Sequence, residues 1–336
     1  MRDEGFHADL FGTLVGASGG PKWLVLRSLD EALIEGLIEG RSTPIDTLGS
    51  SIGSFRHACF AQQDPRAALD RFEQAYVEQA YEDDRPTMEA ISLESERILD
   101  RLLGEKGAEE VSGNERVRSH FVAARLRSGR KDDRGPGFKL ALGRAALANL
   151  FSRAHLGRHF ERVLFTPAST SLRYRDFPTQ LHRLEAERVR HALLASGSIP
   201  LVMEGVRSTP GVWGTLFDGG ILDYHFDFAF ERRPGLVLFP HFFDRITPGW
   251  FDKPLGWRRP QQGDLEDVVM LAPSNEFIDS LPGGRVPDRN DFLTLDTGGR
   301  IRQWRQVLDR CRVLADEWRD LIEGGGLADA LEPFPA

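Results

Sequence analysis

Near its front the chain runs twice from an apolar stretch, through a glycine-framed serine, into a second apolar stretch. The two turns are Gly16-Ala17-Ser18-Gly19-Gly20 and Gly49-Ser50-Ser51-Ile52-Gly53, and both satisfy Gly-x-Ser-x-Gly, the pattern of a serine on a tight strand-to-helix turn. Residues 8–15 read as a strand, and Lys22 to Leu37 as a helix with Leu26, Leu29, Leu33 and Leu37 at helical spacing. Thr43 to Leu48 reads as a second strand and Ser54 to Ala61 as a short helix buried against the sheet. Strand, helix and strand in so short a span imply a right-handed parallel crossover.

Further along, residues 66–110 read as helical and acidic with an interruption at Pro86, and Val117 to Leu126 as a strand. A polar loop at 128–137 follows and is expected to be mobile. Strands are expected at Arg162–Thr166, Gly214–Phe217, Leu236–Pro240 and Val268–Leu271, with helices at about 143–153 and 179–195. Ile301 to Ile322 places Trp304, Leu308, Cys311, Leu314 and Trp318 on one stripe and predicts a long helix ending at Gly324. The alternation points to an α/β fold. We expect one domain over 1–336, with 66–137 as a largely helical and loop insertion and 299–326 as a C-terminal covering helix.

Charge and cysteine content narrow the function classes. Lys and Arg number 43 against 51 Asp and Glu, a net −8 that argues against nucleic acid as the main partner. Cys59 and Cys311 lack Cys-x-x-Cys spacing, so the simplest compartment is a reducing cytoplasm. No apolar run approaches the length of a membrane span, which leaves peripheral contact as the expected mode of any membrane association.

A serine hydroxyl becomes a nucleophile when a base takes its proton, and the oxyanion it creates needs preorganised N–H donors. Ser51 suits the first role: a strand leads in, Gly49 and Gly53 permit a sharp turn, and a helix N-terminus follows. Ser18 is followed by Gly19-Gly20-Pro21-Lys22, a loop rich in free amides that ends in a cation and suits an anion instead. A nucleotide-binding P-loop is disfavoured, because Pro21 replaces the second glycine and Trp23 the magnesium-binding hydroxyl.

Downstream come Ala195-Ser196-Gly197-Ser198-Ile199-Pro200 and then Asp218-Gly219-Gly220. With these motifs in this order the chain resembles the patatin-like phospholipase family, from about residue 13 to 225 and most strongly at the four short motifs. The resemblance implies a three-layer α/β/α fold with a mostly parallel sheet and a Ser–Asp dyad that cleaves lipid or acyl esters without metal or organic cofactor. It would make Ser51 the nucleophile, Asp218 the base, and the Gly19 and Gly20 amides the oxyanion donors. Lys22, Gly49, Gly53, Gly219 and Gly220 would support them. The family loop usually has three consecutive glycines and a glycine after the basic residue. Here Ser18 and Trp23 stand at those places, and Pro21 has no N–H to donate.

Other readings compete. Ser51, Asp218 and then His225 or His241 follow the chain order of a Ser-Asp-His triad. His155 and His159 stand four apart, a metal-ligand spacing if helical, but without the glutamate of a zincin. His57, on the elbow helix, reads as a packing residue. Residues 239–260 gather Phe242, Phe243, Trp250, Phe251 and Trp257 beside Arg258 and Arg259, which suits a loop pinned to the core or a peripheral membrane contact. Glu82-Asp83-Asp84 reads as a solvated turn. The alternative functions are a soluble short-chain carboxylesterase or thioesterase, and a catalytically weak relative that binds lipid or a partner.

Overall fold

The computed structural model describes residues 6–83, 85–127 and 133–334. Among the described residues ten strands form: β1 (Phe11–Gly16), β2 (Ile45–Ser50), β3 (Val117–Leu126), β4 (Phe160–Thr166), β5 (Arg173–Tyr174), β6 (Thr179–Arg183), β7 (Leu216–Asp218), β8 (Phe230–Arg232), β9 (Leu236–Pro240) and β10 (Val268–Leu271). The main sheet has the order β10-β9-β1-β2-β3-β4-β6, with β7 also on β3, while β5 and β8 make a separate ribbon. Its pairs are parallel except β3 with β4 and β3 with β7. Strands β1 and β2 are buried throughout, as expected for parallel strands covered on both faces.

Eleven α-helices are assigned among the described residues: α1 (Arg27–Leu33), α2 (Ile52–Phe60), α3 (Pro65–Glu78), α4 (Met88–Leu103), α5 (Gly107–Gly113), α6 (Gly135–Phe151), α7 (Ala186–Gly197), α8 (Asn275–Ser280), α9 (Asp291–Thr294), α10 (Thr297–Arg310) and α11 (Arg312–Glu323). They flank the sheet to give the three-layer α/β/α arrangement. Most buried apolar side chains join one continuous core; a second, smaller cluster lies under α6.

Several expectations shift. The helix expected over 22–37 is a helical run that changes winding, from a 3-10 helix at Gly20–Leu26 through α1 to a π turn at Ile34–Glu39. Residues 179–183 are a strand, not the start of a helix. This edge strand is half exposed and polar, so it lacks the apolar alternation that marks a strand. The C-terminal cover is two helices, α10 and α11, separated by a turn at Cys311. The burial stripe runs through that break, with Trp304, Cys311 and Trp318 all buried, so periodicity alone reads it as one helix. The stretch 66–137 contains β3, an interior strand that pairs along both of its own edges within the main sheet. Residues 128–132 of the loop expected to be mobile, and Asp84 of the acidic turn, lie outside the described residues.

Candidate active site

The site is built on one edge of β3. Strand β2 runs parallel to β3 and ends with Ser50 opposite Val122; β7 runs antiparallel and ends with Asp218 opposite Ala123. The two strands therefore arrive end to end from opposite directions, and the turns that follow them meet. Ser51 Oγ donates to Asp218 Oδ2 at 2.8 Å.

Ser51 has φ 54° and ψ −125°, a backbone conformation costly for a residue with a side chain. The turn is held by its neighbours. The Ser51 amide donates to Ser196 Oγ at 2.9 Å, and that hydroxyl also bonds Ser54 Oγ at 2.8 Å. Gly53 lets α2 press onto β1: a Cβ there would lie 2.0 Å from Gly16 O. At Gly49 a Cβ would lie 2.5 Å from the Ser54 amide nitrogen.

Asp218 is buried, 7% exposed, and this burial raises its carboxyl above the usual range. The Arg289 guanidinium, the Ser51 hydroxyl and the Gly220 amide oppose that rise without cancelling it. Gly220 N donates to Asp218 Oδ1 at 2.7 Å, which leaves Oδ2 to face Ser51. Gly219 turns the chain so close to β3 that a Cβ would lie 2.3 Å from Val122 O.

The glycine loop closes the other side. Gly20 has φ 56° and, with Ser51, lines a cavity of about 640 Å³. The Gly19 and Gly20 amides have no backbone acceptor among the described residues. Ser18 is held in the cleft beside Asp218, its amide donating to Tyr224 O and its hydroxyl to Ser50 Oγ at 3.0 Å. Lys22 Nζ reaches Asp288 Oδ2 at 3.4 Å and ties the loop to a C-terminal segment. Phe55, Ile91, Ile98, Val202, Met203 and Phe292 give the cavity an apolar lining.

The sequence model of the Patatin-like phospholipase family matches residues 47–225, more than half of the chain and a span that contains both Ser51 and Asp218. The chain belongs to that family. Among solved structures it is similar to VipD from Legionella pneumophila, at 16% identity and a TM-score of 0.33 over 91% of this chain and 67% of that one. It is also similar to the type III effector protein ExoU, at 15% identity and a TM-score of 0.30 over 91% of this chain and 53% of that one, so it spans about half the length of ExoU. No curated protein sequence matches.

In this patatin-like chain the departures in the glycine loop are packing features. Pro21 opens the 3-10 helix Gly20–Leu26, and Trp23 is fully buried, stacked on Phe72 with ring centroids 4.4 Å apart. The histidines are brought together with each other and not with the Ser51–Asp218 pair. His225 and His241 are buried 4.2 Å apart in an aromatic cluster with Phe242, and His225 Nδ1 accepts from the Thr247 amide. Burial drives the His241 ring down to about 4 and the His225 ring well below its usual range, so both are neutral near pH 7. His57 packs against Gly16 and Phe60. His155 lies in a 3-10 helix, Arg153–Arg158, that ends before His159, so a four-residue spacing does not align the two rings. Among the described residues no cluster of three or more His, Cys, Asp or Glu could hold a metal ion.

Three residues of this site were not assigned roles from sequence. Ser196 sits in the Ala195–Pro200 motif, where its serine content was the available signal. Lys253 and Arg289 come from loops beyond the family match and carry no local motif.

Proposed function

We propose that this protein is a serine acyl hydrolase that cleaves lipid carboxylic esters through a Ser51 acyl-enzyme. The observation that carries the reading is the direct 2.8 Å bond to a buried, Gly220-oriented Asp218 carboxylate from the Oγ of Ser51, a residue that lines an apolar cavity. Ser51 Oγ attacks the ester carbonyl carbon while its proton passes to Asp218 Oδ2, and the carbonyl oxygen becomes an oxyanion facing the Gly19 and Gly20 amides. Collapse breaks the bond to the alcohol oxygen, which takes the proton from Asp218. Water then attacks the acyl-enzyme and gives one proton to Asp218. The acid departs as Ser51 Oγ regains that proton.

The cavity favours a long acyl chain over a short one. At about 640 Å³, lined by Phe55, Ile98 and Met203, it would be left mostly empty by an acetyl group, and filling apolar space supplies binding free energy. The aromatic segment 239–260 is mostly packed, with Phe242 fully buried and Trp250 and Phe251 set against the second core cluster. Trp257, 69% exposed, is the ring left for a lipid surface, and vesicle sedimentation of Trp257→Ser tests that contact. No helix among the described residues is long and apolar enough to cross a membrane. The hydrolase reading is tested by release of fatty acid from long-chain and short-chain p-nitrophenyl esters. Turnover that rises with chain length and disappears in Ser51→Ala supports it; turnover retained in Ser51→Ala refutes it.

A further inference from the structure

Two cations, Arg289 and Lys253, line a cleft with Asp218 of the Ser51–Asp218 pair. Arg289 lines both the apolar cavity and that narrow cleft, to which Gly220, Tyr224 and Trp250 also contribute. Its Nε lies 3.2 Å from where a side chain on Gly20 would begin, which places the guanidinium beside the glycine loop. Lys253 Nζ stands over the Tyr224 ring, 3.9 Å from its centroid. Neither side chain is in an ion pair or side-chain hydrogen bond among the described residues, and both are exposed. The third nearby cation, Lys22, is already joined to Asp288.

Their placement is built in. Arg289 sits between Asp288, tied to Lys22, and Asp291, a buried carboxylate that accepts from Trp304 Nε1 at 2.8 Å and from the Asp288 amide at 3.1 Å. Lys253 directly follows the 3-10 turn Trp250–Asp252, whose buried Asp252 accepts from Asn149 at 2.7 Å and from the Gly249 amide at 3.0 Å. The protein packed around the Lys253 ammonium, with Arg289 and Lys22, depresses it to about 8, while Asp218 and Asp288 oppose that fall. Two like charges at one rim, neither of them joined in an ion pair among the described residues, favour an anion that can neutralise them.

The geometry points to a leaving-group subsite in which Arg289 and Lys253 bind the phosphate of an anionic acyl ester. This assignment rests on the acyl hydrolase reading and names its substrate class. With the acyl chain in the apolar cavity and the carbonyl at Ser51, the alcohol half of the ester leaves past Asp218 toward the cleft that Arg289 and Lys253 line. The cleft itself is narrow, about 10 Å³, so a phosphoryl group sits at its mouth where the two cations are exposed. A guanidinium accommodates two phosphate oxygens and an ammonium a third. A phosphomonoester, with the larger charge, gains most. A zwitterionic headgroup brings an ammonium into a cationic rim, and a neutral glycerol leaves both cations unused.

The test compares oleoyl esters of glycerol 3-phosphate, glycerophosphocholine and glycerol, each in the same nonionic mixed micelle, with the full chain. The phosphomonoester is expected to have the highest kcat/KM, about 100-fold above the neutral ester if each charge-assisted contact contributes about tenfold. In the double variant Arg289→Gln/Lys253→Gln that ratio is expected to collapse to about one, with Arg289→Lys restoring part of it in a Lys253 background. A ratio that survives the double variant, or a wild type indifferent to headgroup, overturns the assignment. A wild type that cleaves none of the three esters refutes the hydrolase reading instead, and calorimetry then decides the subsite by itself. Glycerol 3-phosphate binding that disappears in the double variant supports the subsite; no binding to the wild type overturns it. Inorganic phosphate bound as tightly as glycerol 3-phosphate, with no headgroup preference in turnover, assigns the cations to free phosphate and overturns the headgroup role.

Discussion

The Ser51 hydroxyl donates directly to the Asp218 carboxylate at 2.8 Å across 167 residues of sequence. What joins them is β3, which pairs Ser50 and Asp218 with its consecutive residues Val122 and Ala123. In the proposed mechanism the carboxylate is ionised when it takes the proton, yet its burial favours the neutral form.

That conflict predicts a pH dependence. The folded carboxyl of Asp218 lies above its ordinary 3.8, so kcat/KM should begin to fall on acidification at a higher pH than an exposed aspartate would give. The same shift makes the ionised group a cost to folding. Its stabilising contribution is present below the unfolded pKa and is lost as pH rises through the folded one. Asp218→Asn, which keeps an acceptor for the Gly220 amide, should lower kcat by about 10³-fold while its Tm at pH 8 stays at or above wild type. Stopped-flow rates and calorimetric melts check the pair of effects, and a Tm well below wild type contradicts the account.

The buried histidines titrate with the opposite sign. His120 and His241 are held down to about 3 and about 4, against an ordinary 6.5, by burial. Their unfolded forms bind protons first, so stability is full above pH 6.5 and is lost as pH falls toward 4. Thermal melts should show Tm dropping through that window, with a shallower slope in His241→Gln. A triad histidine would cost about 10⁴-fold in kcat; His225→Asn and His241→Gln should each cost less than about tenfold.

Gly53→Ala is expected to destabilise by about 3 kcal/mol, because its Cβ would lie 2.0 Å from a backbone oxygen of β1 and neither element can yield without disturbing the turn at Ser51. Urea midpoints measure it. A midpoint equal to wild type would show that α2 does not press on β1 as described.

Arg162 is fully buried and holds two carboxylates, Asp223 through Nε at 2.6 Å and Asp176 through Nη1 at 2.9 Å. Asp223 lies just beyond the turn that begins at Asp218. Arg162→Ala leaves buried charge unpaired and should cost about 3–5 kcal/mol of stability. At temperatures where the variant remains folded, kcat should also fall through displacement of that turn, with KM moving less.

The glycine turns and the Asp-Gly-Gly motif were legible because they are short and local, and the steric need for Gly53 and Gly219 is as severe as their motifs suggest. Strands such as Leu236–Pro240 were legible because they are short, wholly apolar runs. The polar edge strand Thr179–Arg183 and the break at Cys311 were not, since neither alters the burial pattern on which periodicity depends. Lys253 and Arg289 were invisible for a different reason. Only the folded path of two loops remote in sequence brings them beside Asp218.

The most direct test of the central claim is fluorophosphonate labelling of the purified protein with peptide mass spectrometry to locate the modified serine. The account predicts a single adduct on Ser51 that disappears in Asp218→Ala; an adduct on Ser18, or none on Ser51, would contradict it.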